Sequence, residues 1–181
     1  QGTMPYHWSD DYPARMGLIP RTGGNDQVKW FDVNPCYVFH GLNAYEDGTD
    51  VVFDVCRISE IWRDGGDMSS GQGEQTLHRF TFNTKAGTTS EQTLDDRRMD
   101  FPRVPDASVG QKHRFGYTTC FGNNDAGNGT PGFAGVLQTN FEDGTSKMSN
   151  FGPGQNPSEA VFVPANGSDP TSDEGFVMSY V

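Results

Sequence analysis

Three polar residues, each at the tip of a short apolar strand, recur at nearly equal intervals: His40, Asp100 and Glu159, separated by 60 and then 59 positions. Two of them close the same layout. A hairpin with a glycine turn (Gly87, Gly144) leads into a loop, and a carboxylate then opens a short segment ending in proline, D-F-P at 100–102 and E-A-V-F-V-P at 159–164. The stretch C-Y-V-F-H at 36–40 shares the later part of this plan, with histidine in place of the carboxylate. A repeat of this size in a chain of short strands is the signature of a β-propeller with one blade per repeat. The innermost strand of every blade lines the axis, so one polar residue per blade, at matching places, converges there. The expected fold class is all-β, an incomplete propeller of about three blades.

The remaining strands follow from alternation and turn chemistry. D-V-V-F-D-V-C-R at 50–57 is a strand behind the turn Glu46-Asp47-Gly48, and L-H-R-F-T-F-N at 77–83 alternates apolar and polar residues. Further strands are expected at 15–21, 28–33, 114–120, 133–141, 145–151, 159–164 and 175–181. A short helical turn is expected within 59–67, a flexible loop at 68–73 and an Asn/Gly-rich loop at 122–132. Pro5, Pro13 and Pro20 preclude a long helix at the start.

The net charge is −11, from 24 acidic and 13 basic residues. No basic stripe exists for phosphates to follow, so nucleic acid is excluded as a partner. The three cysteines, Cys36, Cys56 and Cys120, are odd in number and far apart. They suit neither a disulfide framework nor a zinc site, and they fit small apolar residues in a reducing, cytoplasmic compartment. No apolar run approaches the roughly 20 residues of a membrane span. The chain starts with Gln and stops in the apolar strand G-F-V-M-S-Y-V. Residues 1–181 are therefore expected to be a single incomplete propeller domain, truncated at both ends.

An imidazole at a strand tip has two uses. It is a hydrogen-bonded or solvated side chain, or it is a ligand for iron, zinc or copper. A ligand histidine needs an acceptor on its second ring nitrogen, ordinarily a carboxylate. One histidine converging with two carboxylates fits a metal site whose other ligands lie elsewhere. Taken singly, Asp100 and Glu159 also suit turns or surface positions, and Asn43 suits a turn cap as well as a ligand's support. The other histidines do not complete the set: His7 lies in a loop, His78 in an exposed-looking alternating strand, and His113 in a polar run. Phe39, Leu42 and Tyr45 suit either a substrate tunnel or the core of a blade, and 95–98 (D-D-R-R) suits a solvated charge cluster.

Five stretches, in order, resemble the carotenoid cleavage oxygenases, the family that includes lignostilbene dioxygenases. V-F-H-G-L-N-A-Y-E-D-G resembles the family's F-H-x-x-N-A-Y-E segment, and R-M-G-L-I-P-R its R-x-G-x-x-P-R. L-H-R-F-T-F-N-T-K-A-G-T-T resembles its hairpin, and M-D-F-P-R-V its E-F-P-R-(V/I). S-E-A-V-F-V-P followed by D-E-G-F-V-M-S-Y-V resembles its closing motifs. The resemblance implies a seven-bladed propeller whose axis holds non-haem Fe(II) on four histidines, with glutamates orienting three of them. His40 falls on one iron ligand and Glu159 on an orienting glutamate. Asp100 falls on another, one methylene shorter than the family's residue, which implies a weaker or water-mediated hold on its histidine. The other three ligands fall outside this chain.

The implied activity is oxidative cleavage of a carbon–carbon double bond in a carotenoid, apocarotenoid or stilbene-like substrate, by O₂, to carbonyl products. Beyond the metal site the resemblance assigns no catalytic or substrate-binding residue. It allows peripheral membrane contact through segments not in this chain. Two alternatives stand beside it: a non-catalytic propeller that binds a partner, and a degenerate relative marked by Asp100.

Overall fold

A computed structural model describes residues 6–63, 73–125 and 131–181, and it is built of strands. Strands β1 (Ala14–Leu18) and β2 (Lys29–Val33) pair as an antiparallel hairpin. The next four, β3 (Tyr37–Asp47), β4 (Asp50–Ile58), β5 (Gln75–Asn83) and β6 (Thr88–Asp95), form a four-stranded antiparallel blade in chain order. A second blade follows from β7 (Met99–Arg103), β8 (Phe115–Asp125), β9 (Pro131–Asn140) and β10 (Ser146–Asn150). Last come β11 (Val161–Pro164) and β12 (Gly175–Met178), an antiparallel pair.

First strands lie beside first strands, β3 against β7, and outer strands beside outer strands, β2 against β6. That is the arrangement of propeller blades around an axis. The opening strands begin at Tyr37, Met99 and Val161, 62 residues apart each time. The period read from the sequence is therefore real, a little longer than the spacing of the three polar residues. The hairpin turns hold Gly48, Gly87 and Gly144 at φ of 64°, 71° and 72°, a conformation glycine adopts without penalty.

Each blade is covered on both faces. Leu42, Cys56, Leu77, Met99, Val104, Cys120 and Leu137 fill the space between the two complete blades. Phe31, Val33, Val55, Phe80 and Phe82 pack the first hairpin onto the other face of blade one. Tyr117, Val136, Ala160 and Phe162 join blade two to β11. Strand alternation sends Val55 one way and Cys56 the other, so a central strand reads as apolar on both faces. Each fully buried Leu or Phe contributes about 1.5–3 kcal/mol.

Three expectations need correction, two of them for this reason. His78 is 6% exposed, because the central strand β5 has neighbours on both faces. His113, read as part of a polar run, is 5% exposed and wedged between the blades. The loop expected at 122–132 is shorter, since β8 runs on to Asp125 and β9 starts at Pro131; residues 126–130 lie outside the described part. No helix occurs at 59–63. The rest of the helical turn expected there, and positions 68–72 of the expected flexible loop, also lie outside it. All three cysteines are free thiols, with Cys56 and Cys120 buried. Among the described residues no helix is long and apolar enough to cross a membrane.

Gly41, next to His40, is set by a close approach: a Cβ there would sit 2.7 Å from the Phe53 ring. Gly41→Ala is expected to destabilise the protein by about 1–3 kcal/mol through overpacking, read as a lower midpoint in urea unfolding. An unchanged midpoint would mean that Phe53 swings away freely.

Candidate metal centre

The strand carrying His40 is not regular. Between the pairs Val38↔Arg57 and Gly41↔Val55, β3 takes three steps where β4 takes two, and it slips again before Asn43↔Asp54. Such bulges insert unpaired residues and re-aim side chains. Here they place Leu42 and Asn43 in the interior in succession, breaking the alternation, while Phe39 and His40 stand outside the ladder's register. The inner strand of blade two has the same device. After Asp100↔Thr119 the next pair is Arg103↔Tyr117, so β7 bulges at Phe101-Pro102. Proline has no N–H to donate, and a bulge on an inner strand accommodates that.

The two bulges face each other across the blade boundary. His40 Nδ1 lies 2.9 Å from Asp100 Oδ1. The same oxygen accepts the Phe101 backbone N–H at 2.8 Å. Ionised, the carboxylate only accepts, so the contact puts the imidazole proton on Nδ1 and leaves Nε2 with its lone pair. Nε2 has no hydrogen-bond partner among the described residues, and the His40 side chain is 40% exposed against 10% for Asp100. The shorter carboxylate thus reaches its histidine directly, with no water needed. Phe101 achieves this at φ 51°, a left-handed backbone that costs a bulky residue about 1–3 kcal/mol. Its ring lies 5.2 Å from the His40 ring and 5.3 Å from Phe133, which in turn meets Phe121 at 4.3 Å. On the other flank Phe39 is 6.2 Å from His40 and edges onto Tyr37 at 4.8 Å.

Glu159 is not joined to this pair. It is exposed, two residues before the start of β11, and its side chain has no hydrogen bond or ion pair among the described residues. Its backbone position is nevertheless firm. The neighbouring Ser158 N–H donates to Tyr180 O at 2.8 Å, and Ser158 O accepts from the hydroxyls of Thr119 at 2.9 Å and Ser179 at 3.0 Å. Leu42 and Tyr45 are core residues at 6% exposure each, whereas Phe39 is 39% exposed beside His40. Of the three tunnel candidates only Phe39 borders the site.

Asn43 supports the next blade rather than His40. Its amide nitrogen is 3.1 Å from Ser108 O, 2.8 Å from Gln111 O and 3.1 Å from His113 Nδ1, and its oxygen accepts from Gly110 N–H at 2.9 Å. Asn43 thereby caps a turn 65 residues away. An acceptor role for His113 Nδ1 places its proton on Nε2, 3.3 Å from Asp54 Oδ2 though off the hydrogen-bond direction. Asp54, fully buried, takes a two-pronged grip from Arg79, Nε and Nη2 each at 2.7 Å. Burial pushes the Asp54 carboxyl up, but the hydrogen bonds of Arg79 and the nearby His113 ring more than offset it and leave the group below its usual range. This cluster escaped the motif search. Its signal was Asp54 itself, a carboxylate amid the apolar residues of D-V-V-F-D-V-C-R. Phe101 escaped too, although the Phe-Pro step after Asp100 marked the place.

Four-stranded blades with bulged inner strands that meet through a histidine–carboxylate pair define a propeller with a candidate site on its axis. Over residues 1–181 the chain matches the family described as RPE65, retinal pigment epithelial membrane protein, and it belongs to that family. A carotenoid cleavage oxygenase of Mycobacterium tuberculosis is 38% identical over 182 residues, covering 98% of this chain and 36% of that protein. The carotenoid 9,10(9',10')-cleavage dioxygenase of Crocus sativus is 30% identical over 196 residues, covering 99% of this chain and 35% of its own length. The crystal structure of cobalt-substituted Synechocystis ACO, an apocarotenoid oxygenase, superposes with a TM-score of 0.81 at 27% identity, over 96% of this chain and 36% of that one. The chain thus spans about a third of the length of these relatives. Its fold is part of a seven-bladed propeller.

The residues present suit a bound metal in kind and not in number. His40 offers a lone pair on a nitrogen whose ring is already oriented. Among the described residues no group of three or more histidine, cysteine, aspartate or glutamate side chains is placed to hold an ion.

Proposed function

We propose that the whole protein is an Fe(II)-dependent oxygenase that cleaves a carbon–carbon double bond of a carotenoid or apocarotenoid, with stilbene-like substrates in the same chemical range. The observation that carries this reading is the His40–Asp100 contact at 2.9 Å, with Nε2 left free. The names of the relatives supply the reaction class, and the cobalt-substituted form of one of them supports a resident metal. Iron bound there would supply the activation of O₂ that cleavage of an alkene needs. His40 is one of its ligands, and Asp100 holds that ligand's tautomer and ring angle. Glu159 serves the same purpose for a histidine outside this chain, which accounts for an exposed carboxylate on a firmly tied backbone. The aromatic surface of Phe39 and Phe101 beside the imidazole suits a conjugated, apolar substrate. Three free thiols fit a cytoplasmic setting, and such a substrate is drawn from membranes by peripheral contact.

The test is product analysis. The iron-loaded whole protein, given carotenoid, apocarotenoid and stilbene substrates in turn, is expected to release two carbonyl products from at least one. Iron-loaded protein that cleaves none of them would favour a non-catalytic or degenerate propeller. So would a whole sequence without three further histidines at the axis.

A further inference from the structure

We propose that Phe101 is a positioning residue: its left-handed backbone aims the Asp100 carboxylate at His40 Nδ1, and its ring braces the imidazole. The inference rests on the reading of His40 as a metal ligand and extends it to a residue that touches no metal.

Two observations carry it. The first is conformational. Phe101 has φ 51°, and of the described residues other than glycine only Trp62 also has a positive value. The next residue is Pro102, whose ring favours extended backbone in the residue before it, with φ near about −120°. Both the aromatic side chain and the following proline therefore oppose the observed conformation. A strand would be more stable with Phe101 extended; with β7 anchored on both sides by Asp100↔Thr119 and Arg103↔Tyr117, the extended form would need a compensating rotation of ψ at Asp100 that turns the Asp100–Phe101 peptide over. The second observation is what that peptide does. Its N–H donates to Asp100 Oδ1 at 2.8 Å, the oxygen that also meets His40 Nδ1 at 2.9 Å. Two donors thus fix one carboxylate oxygen, and one of them depends on the peptide orientation that the left-handed Phe101 accommodates. The same conformation lays the ring 5.2 Å from the imidazole, with Phe133 behind it. The bulge between Asp100 and Arg103 supplies the extra residue that makes this turn of the backbone feasible. A bulky residue held in an opposed conformation at a ligand's support is the pattern of strain kept for pre-organisation.

The test uses Co(II) as the probe, in the whole protein, with affinity measured by chelator competition and the ligand field by the visible absorption of Co(II). Phe101→Val places a β-branched side chain where positive φ is most opposed, and it is expected to weaken Co(II) binding about 10-fold. Phe101→Gly keeps the left-handed backbone open and removes only the ring, so its loss is expected to be about 3-fold or less. Combining Phe101→Val with Asp100→Asn separates positioning from general damage. If Phe101's backbone acts through Asp100, the valine substitution costs no more than the loss of the ring, about 3-fold or less, once the carboxylate is gone. Equal losses in both backgrounds, or a glycine variant as weak as the valine one, would overturn the proposal. The underlying reading fails differently: Co(II) binding and spectrum unaltered by His40→Ala would remove the ligand assignment and this inference with it.

Discussion

Replacing His40 by alanine is expected to strip iron from the whole protein, weakening metal binding by at least about 100-fold and abolishing turnover with it. The estimate starts from the neighbouring contact. Losing a group that merely orients a ligand typically costs about 10–100-fold in affinity or activity, and losing the ligand itself costs no less. Asp100→Asn supplies the graded comparison. It keeps the shape of the side chain and removes the charge that holds the proton on His40 Nδ1, 2.9 Å away, so a loss of about 10-fold is expected. The two substitutions together should be no worse than His40→Ala alone, because the carboxylate acts only through the imidazole. Metal analysis by mass spectrometry and product assays read all three. Iron retained at the wild-type level in His40→Ala would end the assignment.

The largest expected effect on stability lies away from the site. Arg79→Met is expected to destabilise the protein by about 3 kcal/mol, read by urea unfolding at pH 7. Asp54 is fully buried, and Arg79 grips both of its oxygens at 2.7 Å. Removing one partner of a buried pair leaves an uncompensated charge, which costs about 3–5 kcal/mol. The Arg79 side chain is 25% exposed, so water offsets part of that and the low end applies. The pH dependence has a definite sign. The Asp54 carboxyl is held below its usual range in the folded state, so its contribution is fully present above the unfolded carboxyl pKa of about 3.9 and is lost as pH falls through the lower folded value. Wild-type stability should therefore drop more steeply than that of Arg79→Met as pH falls below about 4. Parallel acid profiles for the two proteins would show that the pair contributes no pH-dependent stability.

The fold was legible because its punctuation is local. Gly48, Gly87 and Gly144 mark the hairpin turns, and each holds the positive φ that a tight turn needs. The period of the blades followed from the spacing of His40, Asp100 and Glu159, from which all three were expected to converge; His40 and Asp100 meet, and Glu159 does not join them. What the sequence hid depends on contacts between blades. His78 looked exposed, and His113 looked like part of a polar run, because a local pattern describes one sheet, not the second sheet packed on its other face. Asn43 looked like a local cap, yet it binds the 108–111 turn of the next blade. Asp100 looked too short for its task. Its reach comes from two bulges and a left-handed Phe101, and no periodicity records a bulge. Glu159 belongs to the same repeat but has no side-chain partner among the described residues.

A crystal structure of the iron-loaded whole protein tests the central claim most directly. The result expected is iron bonded to His40 Nε2 with Asp100 still on Nδ1. Iron held elsewhere, with His40 outside its coordination sphere, would contradict the account.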